Sequence, residues 1–101
     1  MTADPQQPAD IVLSPRLDFA AAADLQGALE PLAATADGRL LIDGQAVETV
    51  STACLQVLMA ADRSLSRRGC QLGLTHPSAT LRGALIELGL EAELARWEVR
   101  P

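Results

Sequence analysis

Val47-Glu48-Thr49-Val50-Ser51-Thr52-Ala53-Cys54-Leu55-Gln56-Val57-Leu58 is the stretch on which the fold turns. Its first residues have β character, and two adjacent hydroxyls then precede a helical stripe. Leu55, Leu58, Met59 and Leu65 recur at helical spacing, so a long helix is predicted from about Ser51 or Thr52. Asp62 falls at the next position of that stripe and is expected at its edge. Arg67, Arg68 and Gly69 supply a closing signature: cations against the helix dipole, then a glycine able to turn left-handed. Ser51 or Thr52 reads as the N-cap, accepting a bond from a free backbone N–H.

Outward from this helix the chain alternates. On its N-terminal side, Arg39-Leu40-Leu41-Ile42 reads as a buried strand closed by Asp43-Gly44, and residues 33–38 read as a loop. Before that, a helix is predicted from Ala20, with Ala21, Leu25, Ala28, Leu29 and Leu32 on one face and Asp18 as its cap. Pro31 should disrupt its last turn. Ile11-Val12-Leu13 is a short strand ended by Ser14-Pro15, and residues 16–19 are a second strand or an extended helix entry. On the C-terminal side, residues 70–74 form a strand. Ser78 then caps a helix carrying Leu81, Ala84, Leu85 and Leu88, and Gly89 ends it. Residues 91–97 allow one or two further helical turns. Short strands alternating with amphipathic helices predict an α/β fold, a small sheet with helices packed on it.

The 101 residues suit one domain, expected over residues 10–101 behind a polar, disordered lead at residues 1–9. The lead lacks the basic and apolar regions of a signal peptide, and charge interrupts every apolar stretch too early for a membrane span. A cytoplasmic protein is therefore expected. Ala occurs 18 times and Leu 17 times, against one Phe, one Trp and no Tyr, so aliphatic side chains must build the core. The scarcity of rings excludes an aromatic platform for single-stranded nucleic acid. Net charge is −5 and all eight basic residues are Arg, which argues against binding phosphate backbones or anionic membranes.

Candidate chemistry is sparse. Cys54 and Cys70, with His76 as the one histidine, are too few for a disulfide scaffold or a zinc site. They read as reduced, partly buried thiols, and His76 as an exposed loop residue. Cys54 lies in a helix's first turn, where a thiolate is stabilised, but no base is assignable to it. Asp43, Glu48 and Asp62 are not spaced for acid–base work. Arg63, Arg67 and Arg68 read as solvated cations, with docking of an acidic partner as the alternative. Trp97 should pack against the sheet edge or helix ends, and would anchor a partner if the tail is not folded back. No catalytic set, metal site or cofactor is expected. The hydroxyl pair Ser51-Thr52 admits a second reading beside the cap, a phosphorylation site, because a phosphate of about −2 charge is tolerated at a helix N-terminus.

Three segments carry a resemblance to the STAS domain, the small α/β module of bacterial anti-anti-sigma factors and sulfate-transporter tails. Arg16-Leu-Asp-Phe-Ala-Ala-Ala-Ala-Asp-Leu resembles the family's entry into its first helix. Val50-Ser-Thr-Ala-Cys-Leu-Gln-Val-Leu resembles its "I-D-[ST]-[SAT]-G-L-x-x-L" signature. Thr75-His-Pro-Ser-Ala-Thr-Leu-Arg-Gly-Ala-Leu-Ile-Glu-Leu-Gly-Leu resembles its closing helix, and together the three span roughly residues 11–97. The chain also resembles the small STAS proteins of chemotaxis operons and the STAS subunit of a lipid-transporting ABC importer.

The resemblance implies a mixed sheet of four or five strands with three to four helices packed on it. It implies an anti-sigma factor antagonist-like interaction module and no enzyme. Thr52 falls on the family's phosphoacceptor, Ser51 on the preceding Asp and Cys54 on the signature Gly, the last two being departures. Thr49, Val50, Ser51, Thr52, Cys54 and Leu55 are the implied partner-binding residues. The partner would be a kinase-like anti-sigma factor, a chemosensory protein or an ABC ATPase. The alternative is a constitutive structural subunit with no covalent switch. A ligand-binding module is a third reading that rests on the family's versatility alone.

Overall fold

The computed structural model describes residues 9–99. The lead expected over residues 1–9 lies, apart from Ala9, outside them. The fold is α/β. Strands β1 (Ile11–Val12), β2 (Arg16–Leu17), β3 (Arg39–Asp43), β4 (Thr49–Val50) and β5 (Gln71–Thr75) are joined by helices α1 (Ala22–Thr35), α2 (Thr52–Arg67), α3 (Ala79–Glu87) and α4 (Glu91–Trp97). Every pairing is parallel, where a mixed sheet was expected, and the strands divide into two small sheets, β1-β3-β5 and β2-β4.

β3 is the central strand of the larger sheet, with β5 beside it. Leu40, Leu41 and Ile42 are all buried, as are Leu72, Gly73 and Leu74, because a parallel strand is covered on both faces. Leu41 and Gly73 are register partners. A methyl group on Gly73 would sit 3.0 Å from both Arg39 Cδ and Val99 Cγ2, so the bare backbone there admits the side chains that cover this face. Beyond β5 the chain adds one further parallel bridge, Leu74 to Glu98, and Val99 N–H donates to the Leu74 carbonyl at 2.9 Å. The tail thus covers part of an edge that would otherwise stay unpaired.

The three caps read from sequence hold. Asp18 Oδ1 accepts from Ala21 N–H at 3.0 Å, Ser51 Oγ from Cys54 N–H at 3.2 Å, and Ser78 Oγ from Leu81 N–H at 3.1 Å. Each cap is worth about 1 kcal/mol. Asp18 caps a 3₁₀ turn, Phe19–Ala21, that leads into α1.

Two expectations about α1 are corrected. The helix runs through Pro31, and it continues to Thr35, into the stretch read as loop. A proline here removes one N–H from the ladder, leaving the Gly27 carbonyl without it. Gly27 and Pro31 are both exposed, which leaves that carbonyl open to solvent, and Thr35 Oγ1 donates to the Pro31 carbonyl at 2.9 Å. At the other end of the pair, Arg68 was expected to complement its own helix. Its guanidinium instead donates to the carbonyls of Ala33 (2.7 Å) and Ala36 (3.0 Å), closing the C-terminal end of α1.

The largest correction is Asp62, which is 5% exposed and belongs to the interior face of α2. Arg96 of α4 explains it. The two make a bidentate pair, 3.1 Å at each nitrogen, spanning 34 positions of sequence. The bond to Asp62 holds the Arg96 pKa above its usual value. Trp97, the next residue, is 1% exposed in the core, so the tail is folded back and Trp97 is no exposed anchor. Its indole N–H is buried without a hydrogen-bond partner. Arg82 of α3 also pairs with Glu98. Among the described residues, no helix is long and apolar enough to cross a membrane.

Candidate functional site

The first turn of α2 is built from both sides. β4 delivers the chain to it, pinned to β2 in the registers Arg16–Thr49 and Leu17–Val50. The Pro15 carbonyl accepts from Glu48 and Thr49 N–H, and Ser51 N–H donates to the Leu17 carbonyl at 2.6 Å. The 3₁₀ turn closes the other side. Cys54 Sγ donates to the Asp18 carbonyl at 3.3 Å. A thiol at this position therefore ties the start of α1 to the start of α2, a contact that a glycine could not make.

The candidate partner-binding residues divide by exposure. Thr49 and Thr52 are exposed, and Val50 and Ser51 are half-buried. Cys54 is 0% exposed and Leu55 is buried beside it in the core, so neither can touch a partner. That corrects their assignment. Leu55 lies on the inner stripe that the sequence already drew, and Cys54 is occupied by Asp18.

The two hydroxyls also divide. Ser51 Oγ is committed to its cap, so a phosphate there would displace a bond the helix uses. The Thr52 hydroxyl, at the first helical position, has no hydrogen-bond partner among the described residues. It stands where the helix dipole favours added negative charge.

The remaining candidates lie elsewhere. His76 is exposed, has a left-handed φ of 50° and sits with Nδ1 3.0 Å from Thr75 Oγ1. Cys70 is buried at the far end of α2, its thiol facing the carbonyls of Ala36 and Arg68. Asp43 Oδ1 accepts from Gln45 N–H at 2.9 Å, and Glu48 is exposed. Arg63 and Arg67 are exposed on α2. Among the described residues there is no group of three or more His, Cys, Asp or Glu side chains able to hold a metal.

One surface residue escaped the sequence reading. Phe19 is 80% exposed at the start of α1, beside the α2 first turn. Its signal was available: the one Phe of the chain follows a capping Asp at the point where the backbone must turn. Between α1 and α2 lies an open groove of about 520 Å³, floored by Leu29, Ala33, Ala53, Val57, Ala60 and Ala61.

A protein-family model described as "Mlab, STAS domain" matches residues 1–96. No curated protein matches the chain.

Proposed function

The chain belongs to the STAS domain family, and on that premise we propose that it is a non-enzymatic protein-interaction module of the anti-sigma factor antagonist type. It docks a cytoplasmic regulatory protein through Thr49, Val50, Ser51 and Thr52, and phosphate on Thr52 switches that docking. The observation that carries this reading is the division within one helical turn. The groups that the fold needs, the Ser51 cap and the Cys54 and Leu55 side chains, face inward, while the Thr52 hydroxyl faces water unpartnered. A modification of Thr52 therefore changes the surface and spares the interior. Added charge at that point meets the positive end of α2, so phosphate alters what a partner meets at little cost to folding.

A second reading is favoured by the "Mlab" description of the matching family model. In it the chain is a constitutive structural subunit of a chemosensory or lipid-transport assembly, bound to an ATPase or sensory protein through the same surface and never modified. Capture from native cells, with intact mass of the recovered chain, separates the two. The switch requires a co-purifying partner and a species heavier by roughly 80 Da that disappears in Thr52→Ala. It also requires that Thr52→Glu lose the partner. Unmodified chain with a partner retained by Thr52→Ala identifies the constitutive subunit.

A further inference from the structure

We infer that the α1–α2 face binds a second copy of this chain, with Phe19 of each copy seated in the groove of the other. It does not depend on the reading proposed above, although the N-terminal mouth of the groove, at Ala53, adjoins that docking surface.

The knob and the hole are both present on one molecule. Phe19 is the most exposed of the large apolar residues among the described residues, although the fold buries the bulkier Trp97. Its turn is held at two points, the Asp18 cap on Ala21 and the Cys54 thiol on the Asp18 carbonyl, so the turn that presents the ring is fixed in place. Exposed aromatics held in place are what anchor interfaces. The groove beside it is lined by aliphatic residues, mostly alanine, together with Gln26, Glu30, Gln56, Ser64 and Arg68, and its volume of about 520 Å³ leaves room for a phenyl ring.

Charge selects the arrangement. α1 and α2 run in the same direction, tied at their starts by Cys54 to Asp18 and at their ends by Arg68 to Ala33 and Ala36. Those two ties set Glu30 on the α1 rim level with the α2 turn that runs from Arg63 to Arg67. Glu30 accepts a bond from Gln26 at 2.9 Å and keeps its charge exposed. Arg63 and Arg67 are exposed and have no ion-pair partner among the described residues. A two-fold axis parallel to the helices lays α1 of one copy over α2 of the other. It brings Glu30 to the partner's Arg63 and Arg67, and each Phe19 to the N-terminal mouth of the opposite groove. A two-fold axis across the helices would instead set α1 on α1 and the two arginine rims together, pairing like charges. The contact is isologous, so it closes at two copies.

Sedimentation of the full chain across a concentration series tests this. The expected result is a reversible rise from 10.6 kDa to twice that mass. Phe19→Ala should weaken association about thirty-fold, the scale of an aromatic anchor. Glu30→Arg should weaken it as well, and combining Glu30→Arg with Arg63→Glu and Arg67→Glu should restore it. These positions are exposed, and circular dichroism checks that each variant keeps its fold. A single-chain mass at every concentration overturns the inference. So does a dimer indifferent to Phe19→Ala, or a charge swap that gives no rescue.

Discussion

At the start of α2, Thr52 stands in water with no partner. Nearly three turns later, Asp62 is buried and gripped from 34 positions away by Arg96. The same helix thus carries one polar group that the fold does not use and one that it cannot leave unpaired. The difference separates two tasks. The middle of α2 is held by the tail through the Arg96–Asp62 pair, and its far end is tied to α1 by Arg68. The near end is fixed by its own cap and by Cys54, which leaves Thr52 open to change.

The contrast is broken most severely at the anchored end. Trp97→Ala removes the largest buried side chain and should cost about 3–5 kcal/mol, measured by denaturant unfolding. A cost near zero would mean that the tail is not packed into the core. Arg96→Ala should cost about 2–3 kcal/mol, because it strands the Asp62 carboxylate in the interior. Asp62→Ala should cost less, since Arg96 is about half exposed and can return to water. Equal costs would contradict that asymmetry. At the open end, Ser51→Ala should cost about 1 kcal/mol through the lost cap. Thr52→Ala and Thr52→Glu should each stay within about 0.5 kcal/mol of the parent chain. Thr52→Glu should nevertheless lose the captured partner, so that stability and binding part company at this one residue.

What the sequence made legible was local. Asp18, Ser51 and Ser78 were readable as caps because a cap and the N–H that donates to it lie three residues apart. β3 and β5 were readable to within a residue because buried parallel strands are continuous apolar runs between breakers. The errors came from contacts that sequence distance hides. Asp62 looked like an edge residue because Arg96 is on another helix. Pro31 looked like a terminator because its exposure, which leaves the Gly27 carbonyl open to solvent, is a property of how α1 packs. At the candidate site, the pair of hydroxyls at the helix start was legible, but which of them caps the helix was not. Cys54 was read as a partly buried thiol, but its bond to the Asp18 carbonyl was not legible, since it depends on the Asp18 turn folding across the helix start. Phe19 went unread for the same reason, as its exposure follows from the path of that turn.

The buried Trp97 has an optical consequence. The chain has one tryptophan and no tyrosine, so its near-ultraviolet emission comes from the indole that fastens the tail. A blue-shifted spectrum reports a seated tail, and a red shift reports its release. Because Thr52 lies at the other end of the molecule's division of labour, occupancy there should leave the colour of that emission unchanged. The protein carries its own label for telling a bound chain from an unravelled one.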